Sequence, residues 1–457
     1  MRRNMGARDF AGAHHCPILA SGTGTVPRGK SIHVRRPGQV STVPRAAVLA
    51  PFRQRSFRFQ WPADLATSWA FEMETLILAW YVLAKTGSVV VLTLFGALQF
   101  VGTLISPMFG VMGDRLGHRR VLIAMRATYL TLALTLAGLA MTGMLGIAAI
   151  FVVALLAGLV RPSDIGMRNA LIGATMPAPY LMGAMGIERM SADTARIVGA
   201  LTGAALVAAL GVGPAYLVVA GLYLTSLLLM TGIEESRIHV PVEAAPATRV
   251  WRDVLDGAAY VRAAPALLAA MCLAFLANFL AYPLTGGLLP HVARDIYGMD
   301  QGGLGRLIAV FATGALIGSM VLSARGGAFP PARTMLAASL IWFLLLLGFA
   351  QVRDAAAGMV LLAAIGFVQS FCMVPMGVLL LRVTKDAFRG RVMGLRMLAV
   401  YGLPVGLLGA GPLIAWFGFA ATATAFAGIG LVATVAIALA WRPYLWPADA
   451  AANARHR

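Results

Sequence analysis

The chain has 457 residues, is 59% hydrophobic and only 12% charged, and has a mean hydropathy of +0.80. That balance argues against a soluble globular fold and for repeated passage through a bilayer. The formal net charge of +19 invites a nucleic-acid partner, but the distribution of the cations, taken up below, assigns it to a membrane surface instead.

Residues 1–59 carry 11 cations and one acid, Asp9, with scattered Gly and Pro and no continuous apolar stretch. They read as a disordered basic tail and not a secretory signal, a reading that includes a misassigned translation start; a specific role for the tail is the alternative. His14, His15 and Cys16 are adjacent but lack a fourth ligand, and the three cysteines show no spacing pattern, so neither a metal site nor a disulfide framework is expected.

A hydrocarbon core of about 30 Å needs roughly 20 apolar residues per helical crossing. Twelve segments qualify: 62–84, 89–111, 121–141, 146–163, 187–210, 214–233, 264–289, 303–323, 334–351, 355–380, 393–415 and 418–441. The predicted fold class is an all-α integral membrane protein. Its organisation divides into a tail (1–59), a first six-helix bundle (60–233), a linker (234–262), a second six-helix bundle (263–442) and a short second tail (443–457). With the amino terminus placed in the cytoplasm, 31 of the 37 Lys and Arg fall on the cytoplasmic side and 4 on the opposite side. Such a bias satisfies the positive-inside rule, so both termini are expected in the cytoplasm.

In chain order, the first segment holds Glu72 and Glu74, about 15–18 Å into a helix that rises 1.5 Å per residue, near the midplane. Charge is costly there, so it is expected to carry function. Two residues apart means about 200° of rotation, so the two acids face different neighbours. Glu74 shares a polar stripe with Thr67, Tyr81 and Lys85 and is the first choice for a proton-coupling or substrate group, with Glu72 in reserve. A hydrogen-bonded structural carboxyl is the plainer alternative. Between the second and third segments, the stretch from Gly110 to Leu122 packs Asp114, Arg115, Arg119 and Arg120 among Gly110, Gly113 and Gly117. Glycine bends the backbone and the cations mark a side of the membrane. Arg196, in the fifth segment, needs a partner; Asp193, one turn earlier, is the nearest in sequence and predicts a structural ion pair. No phosphate-cradling loop and no metal or nucleophile cluster occurs, so no enzyme activity and no cofactor are expected.

The run G-x-x-G-D-R-x-G-x-R-R from Gly110 to Arg120 closely resembles the signature of the major facilitator superfamily. Three further stretches resemble the branch of enterobactin-exporter-like and macrolide-efflux-like proteins: Met167–Leu171, Leu289–Arg294 with the following Gly303, Gly305, Gly314 and Gly318, and Arg389–Met393. The resemblance spans roughly residues 57–441. It implies a cavity between the two bundles, lined by the first, fourth, seventh and tenth helices. On that basis Asn278, Tyr282 and Gln369 are candidate polar contacts, and Trp69, Trp80 and Phe275 candidate apolar ones. It also implies a gate in which Asp114 faces the helix start around Arg391, with Arg161 or Arg168 as neighbour. The antiporter motif G-P-x-x-G-G is degenerate here: Gly199 and Gly203 remain, while Ala200 and Ala204 replace the proline and the last glycine. Export is therefore implied by the branch more than by this motif.

The expected function is secondary active, proton-coupled export of a small amphipathic molecule (a drug, siderophore or metabolite) by a monomer in the cell membrane. Uptake by a proton-coupled permease and a non-transporting sensor on the same fold are the alternatives. The partners expected are protons, substrate and lipid, with no nucleic acid.

Overall fold

A computed structural model describes residues 50–103, 105–234, 247–325, 329–385 and 388–445. Most of both tails, with His14, His15 and Cys16, and residues 235–246 of the linker lie outside the described residues. Every regular element among the described residues is helical, as lipid demands of backbone groups that must be satisfied within their own segment. Nine described helices are long and apolar enough to cross a membrane.

The first helix, α1 (Arg55–Thr86), runs for 32 residues and stops at Gly87, whose φ of 61° admits the left-handed cap closed by its N–H on the Leu83 carbonyl. It is followed by α2 (Val89–Leu98) and α3 (Ser106–Leu116), which divide the segment predicted as one helix, 89–111. Pro107 at the head of α3 supplies no donor to the preceding turn, and the break sits beside Gly102, where a Cβ would come within 2.1 Å of the Leu159 carbonyl oxygen. The signature stretch is also more helical than expected. Helix α3 continues to Leu116 and α4 (His118–Met141) restarts at once, so the turn between them is the single residue Gly117, at φ 90°. Only glycine adopts that backbone without strain.

Helices α5 (Ile147–Thr175), α6 (Ala178–Leu210) and α7 (Val212–Thr231) follow, and α8 (Ala247–Ala263) lies in the linker. Helix α9 (Pro265–Leu276) passes into three π-helical turns, Ala277–Ala281, Pro283–Gly287 and Val292–Ile296, so the predicted end at 289 is overrun. Pro283 and Pro290 remove donors from the regular ladder, and wider turns accommodate the loss. Then come α10 (Gln301–Ala324), α11 (Pro331–Gln351), α12 (Ala355–Val383), α13 (Arg389–Ala399) and α14 (Gly402–Ala440). The predicted division at 415–418 is reduced to a kink at Gly418, where φ is 80°.

Helix α4 packs on α7, and α1 on α6 and α7; α12 packs on α10 and α11, and α11 on α14. These two sets meet where α6 lies against α10 and α2 against α14. Glycine makes both meetings close. A Cβ at Gly305 would reach 3.0 Å from the Ala200 carbonyl oxygen, and one at Gly411 would reach 2.2 Å from the Thr93 hydroxyl. Within the second set, Gly314 and Gly366 form a reciprocal contact. Their absent Cβ atoms would sit 2.0 and 2.1 Å from the carbonyl oxygens of Ala363 and Phe311, on the opposite helix. Close backbone approach of this kind supplies the dispersion contact that holds helices together in lipid.

This packing predicts that Gly314→Ala destabilises the detergent-purified protein by about 1–3 kcal/mol through overpacking. Gly221→Ala, where nothing lies within 4 Å, should leave the protein as stable or up to about 1 kcal/mol more so. Thermal unfolding of the two variants side by side checks the pair.

Candidate functional site

The first half of the chain buries two charge clusters. The larger joins four helices. Arg126 of α4 is fully buried and donates to Asp64 of α1 at 2.9 Å and to Asp164 of α5. Arg168, one turn beyond Asp164 on the same helix, pairs with it at 2.5 Å and with Asp64 at 3.4 Å. Its Nη1 also donates to the Ser68 hydroxyl at 2.7 Å and approaches Glu188 of α6 at 3.6 Å. Gln60 donates to Asp64 and to the Arg168 carbonyl. The cluster thus holds three carboxyl groups and two guanidiniums. Glu188 is the least engaged member: its Oε2 is buried and accepts no hydrogen bond among the described residues.

The second cluster lies further along α1. Glu74 accepts from Arg161 of α5 at 3.0 Å and from the Tyr223 hydroxyl of α7 at 2.9 Å. Arg161 donates as well to Gln99 and Thr75, at 2.7 and 3.0 Å, and its guanidinium lies 4.2 Å from the centre of the Phe71 ring. One acid meets one base and one phenol, so this site is matched in charge and in donors. A narrow cleft opens beside it, between Glu74, Gln99 and Arg161.

Glu72 faces elsewhere. It pairs with Arg196 of α6 at 3.3 Å, and both side chains keep about a third of their surface, 28% and 36%. Gly199 permits the approach, since a Cβ there would reach 2.8 Å from the Glu72 Cβ. The expected Asp193–Arg196 pair is therefore corrected. Asp193 binds Arg189 at 3.3 Å, because Arg189 lies one full turn away on the same face, and Arg196 reaches across to α1 instead.

Of the candidates in the second half, Tyr282 and Gln369 are brought together: the Gln369 amide donates to the Tyr282 hydroxyl at 2.7 Å, joining α9 to α12. Asn278 instead donates to the Ala274 carbonyl of its own helix. Tyr81 donates to the Leu145 carbonyl at 2.9 Å and fastens the turn after α4, and Trp69 donates to Thr202. Phe275 stacks on Phe279 and stays 46% exposed.

The gate expected around Asp114 has Arg161 or Arg168 as its neighbour. Both lie deep between helices, bound to acids of α1, α5 and α6, since a guanidinium at that depth takes the nearest buried carboxylates. The side chain of Asp114 lies outside the described residues. Arg391 reaches Asp256 of α8 at 4.0 Å. Within the signature, Arg119 donates to the Met230 and Thr231 carbonyls and so caps the end of α7, a favourable place for a cation. Arg115 and Arg120 are exposed, and Gly113 sits against Met167 and His118.

Sequence reasoning missed Asp64, Arg126, Asp164, Glu188 and Tyr223 as members of these clusters. The four charged residues carried a usable signal: each stands inside or at the edge of a predicted apolar segment, and Asp164 and Arg168 are one turn apart.

A family model described as transmembrane secretion effector, within the major facilitator superfamily, matches residues 46–456. Enterobactin exporters of Shigella flexneri and Escherichia coli are 26% identical over 307 residues, which is 66% of this chain and 70% of theirs. Among solved structures, the human organic anion transporter MFSD10 superposes with a TM-score of 0.62 at 17% identity, over 85% of this chain and 99% of that one. The nucleoside transporter NupG does so with 0.63 at 14%, over 84% and 99%. At those identities the structures speak to the fold alone.

The larger cluster predicts a strong asymmetry between buried and exposed pairs. Arg126→Met would leave two buried carboxylates short of a counter-charge and cost about 3–5 kcal/mol. Breaking the Arg55–Glu234 pair, both of whose side chains are more than half exposed, by Arg55→Met should cost under about 1 kcal/mol. Comparing the unfolding of the two variants in detergent checks this.

Proposed function

Because the chain belongs to the transmembrane secretion effector family of the major facilitator superfamily, we propose that it exports a small amphipathic molecule by alternating access, driven by protons. It is a multi-pass membrane transporter and not an enzyme. The reading takes twelve crossings: α1, the α2–α3 pair, α4, α5, α6 and α7, then α9 with its π turns, α10, α11, α12, α13 with α14 up to Gly418, and the remainder of α14. These form two six-helix bundles, 60–233 and 263–442, joined by a cytoplasmic linker. Arg126, Arg161 and Arg168 belong to buried ion pairs and drop out of the topology count. The 28 cations that remain on the proposed cytoplasmic side still outnumber the 4 opposite, which supports cytoplasmic termini.

The observation that carries proton coupling is the imbalance of three carboxyl groups against two guanidiniums in a site with little access to water, where even Glu188 keeps only 12% of its side chain exposed. A third bare carboxylate there would share Arg168 with Asp64 and Asp164 and have little solvent, so the cluster is complete only with one proton. Glu188, with its unpartnered Oε2 and its contact to Arg168 alone, is where that proton rests. Glu74, the first choice from sequence, is held by Arg161 and Tyr223 in a cluster already matched in charge, so it leaves no comparable imbalance. Movement of α6 against α1 and α5 during the transport cycle would change the distance from Glu188 to Arg168. The proton would then be released where the guanidinium is near and regained where it is far.

The test uses proteoliposomes and a metabolite identified by comparing what cells with and without the protein retain. Under an imposed pH gradient, Glu188→Gln is expected to abolish uphill accumulation while exchange between equal pools continues. Undiminished uphill transport by this variant contradicts the proton assignment.

A further inference from the structure

We infer that Arg294, on the last π turn of α9, is a latch that holds the extracellular ends of the two six-helix bundles together by donating across their interface to the end of α1, and that Asp295 takes over the guanidinium when the bundles part. The inference rests on the transporter reading with its orientation. It is independent of proton coupling and of the substrate.

The contact is direct. Nη1 of Arg294 donates to the Leu83 carbonyl at 2.6 Å, across 211 residues of chain and from one bundle to the other. That carbonyl stands in the last turn of α1 and already accepts the Gly87 N–H at 2.8 Å, so the guanidinium fills its second lone pair. A helix carries partial negative charge at its carboxyl end, which makes that end a favourable seat for a cation. Lys85, the cation that α1 itself brings to this turn, lies over the Tyr81 ring at 5.9 Å. The cation on the Leu83 carbonyl comes instead from the other bundle, on the π turn Val292–Ile296.

Its surroundings make this contact one that can be broken and remade. Gly305, the fifth residue of α10, lies against Ala200 and Ala204 of α6, and Thr93, the fifth residue of α2, lies against Gly411 of α14. Both meetings fall near the helix ends that the proposed orientation turns outward, the same end as Leu83 and Arg294. They are contacts of shape and fade gradually as helices separate. The Arg294–Leu83 bond is charge-assisted and directional, and is lost once donor and carbonyl part by about 1 Å.

Release does not strand the guanidinium. Oδ1 of Asp295 is 3.8 Å from its Nε and travels with it on α9. His291, one turn earlier, holds the other Asp295 oxygen at 2.7 Å, and its ring lies 6.1 Å from that of Phe419, beside the Gly418 kink, so the acid is fixed in place. The side chains of Arg294 and Asp295 keep 36% and 37% of their surface, enough for water to complete the pair when the latch is open. Arg294 therefore has a partner in either state, and the bond to Leu83 is what distinguishes the two.

The experiment puts nitroxide labels on the full-length protein in nanodiscs, at Met144→Cys in the exposed turn after α4 and at Arg353→Cys in the turn between α11 and α12, with Cys16, Cys272 and Cys372 replaced by alanine. Pulsed electron double resonance then reads the distance between the outer ends of the two bundles, without substrate or a pH gradient. Arg294→Met keeps the apolar stem and loses the donors. It should raise the ratio of long to short distances about tenfold, the worth of a charge-assisted hydrogen bond. Arg294→Lys should fall between Arg294→Met and the native protein. Asp295→Asn should keep the short distance, because the Leu83 contact remains and the competing partner is gone. An unchanged distribution in Arg294→Met overturns the inference. So does a lengthening in Asp295→Asn equal to that in Arg294→Met, the pattern expected if the arginine served only to neutralise the acid. Should Arg294→Met not be monodisperse, Arg294→Lys and Asp295→Asn carry the test with the same signs. The expected shift in a protein that exports nothing supports the latch and counts against the export reading. Export with no shift overturns the latch alone.

Discussion

The ion pairs that join Asp64, Arg126, Asp164 and Arg168 tie α1, α4 and α5 into one unit, with Glu188 of α6 at its edge. Such a tie behaves differently in lipid than at a protein surface. An exposed pair such as Arg55–Glu234 exchanges one hydrated state for another and constrains little. Arg126, with no exposed surface, has no water to return to, so parting its helices would strand opposite charges in an apolar medium. Helices α1, α4 and α5 can therefore move as a body far more readily than they can move apart, whereas α6 joins this cluster only through the 3.6 Å contact of Glu188 with Arg168. The member that escapes full engagement, Glu188, is on α6, the helix that also lies against α10 of the other set. Charge state and helix contact meet on one element.

The second set of helices is held by other means. Its described contacts are glycine-mediated backbone approaches, Gly314 and Gly366 above all, and aromatic packing around Tyr282 and Trp342. Helix α9 carries three π turns where wider rings replace the regular ladder. That arrangement is rigid where glycines interlock and adjustable where the ladder is irregular. In the proposed transport cycle, an ion-locked set and a glycine-packed set can part along their shared face without either one breaking. Glu72 with Arg196 keeps partial exposure, and Tyr282 with Gln369 keeps unused hydrogen-bonding capacity.

Much of this was legible in the sequence, and the limits of legibility have physical causes. Apolar periods of about 20 residues and the signature from Gly110 to Arg120 carried the fold class, because lipid enforces helix length directly. Helix ends were less legible: α3 runs to Leu116 because a single glycine at φ 90° suffices to reverse the chain. Glu72 and Glu74 stood out as acids at membrane depth. Their partners did not, since Arg161 is 87 residues from Glu74 and Arg196 is 124 from Glu72. The topology count takes Arg161, Arg168 and Arg126 as cytoplasmic-side cations, where cations ordinarily belong, and packing places them in buried ion pairs instead. The nearest opposite charge in sequence was the wrong guide for Arg196, because a helix facing another helix finds its counter-charge across the gap. Buried partners of this sort are a property of packing, and sequence spacing within one helix holds no record of it.

The central claim is that the five-charge cluster holds one proton at neutral pH and that Glu188 carries it. Infrared spectroscopy of the purified protein tests this most directly, through the carbonyl stretch that a protonated carboxylic acid shows and a carboxylate lacks. The account predicts a buried carboxylic-acid band in the native protein and in Glu74→Gln, and its disappearance in Glu188→Gln. A native spectrum without that band, or a band that survives in Glu188→Gln, would contradict it.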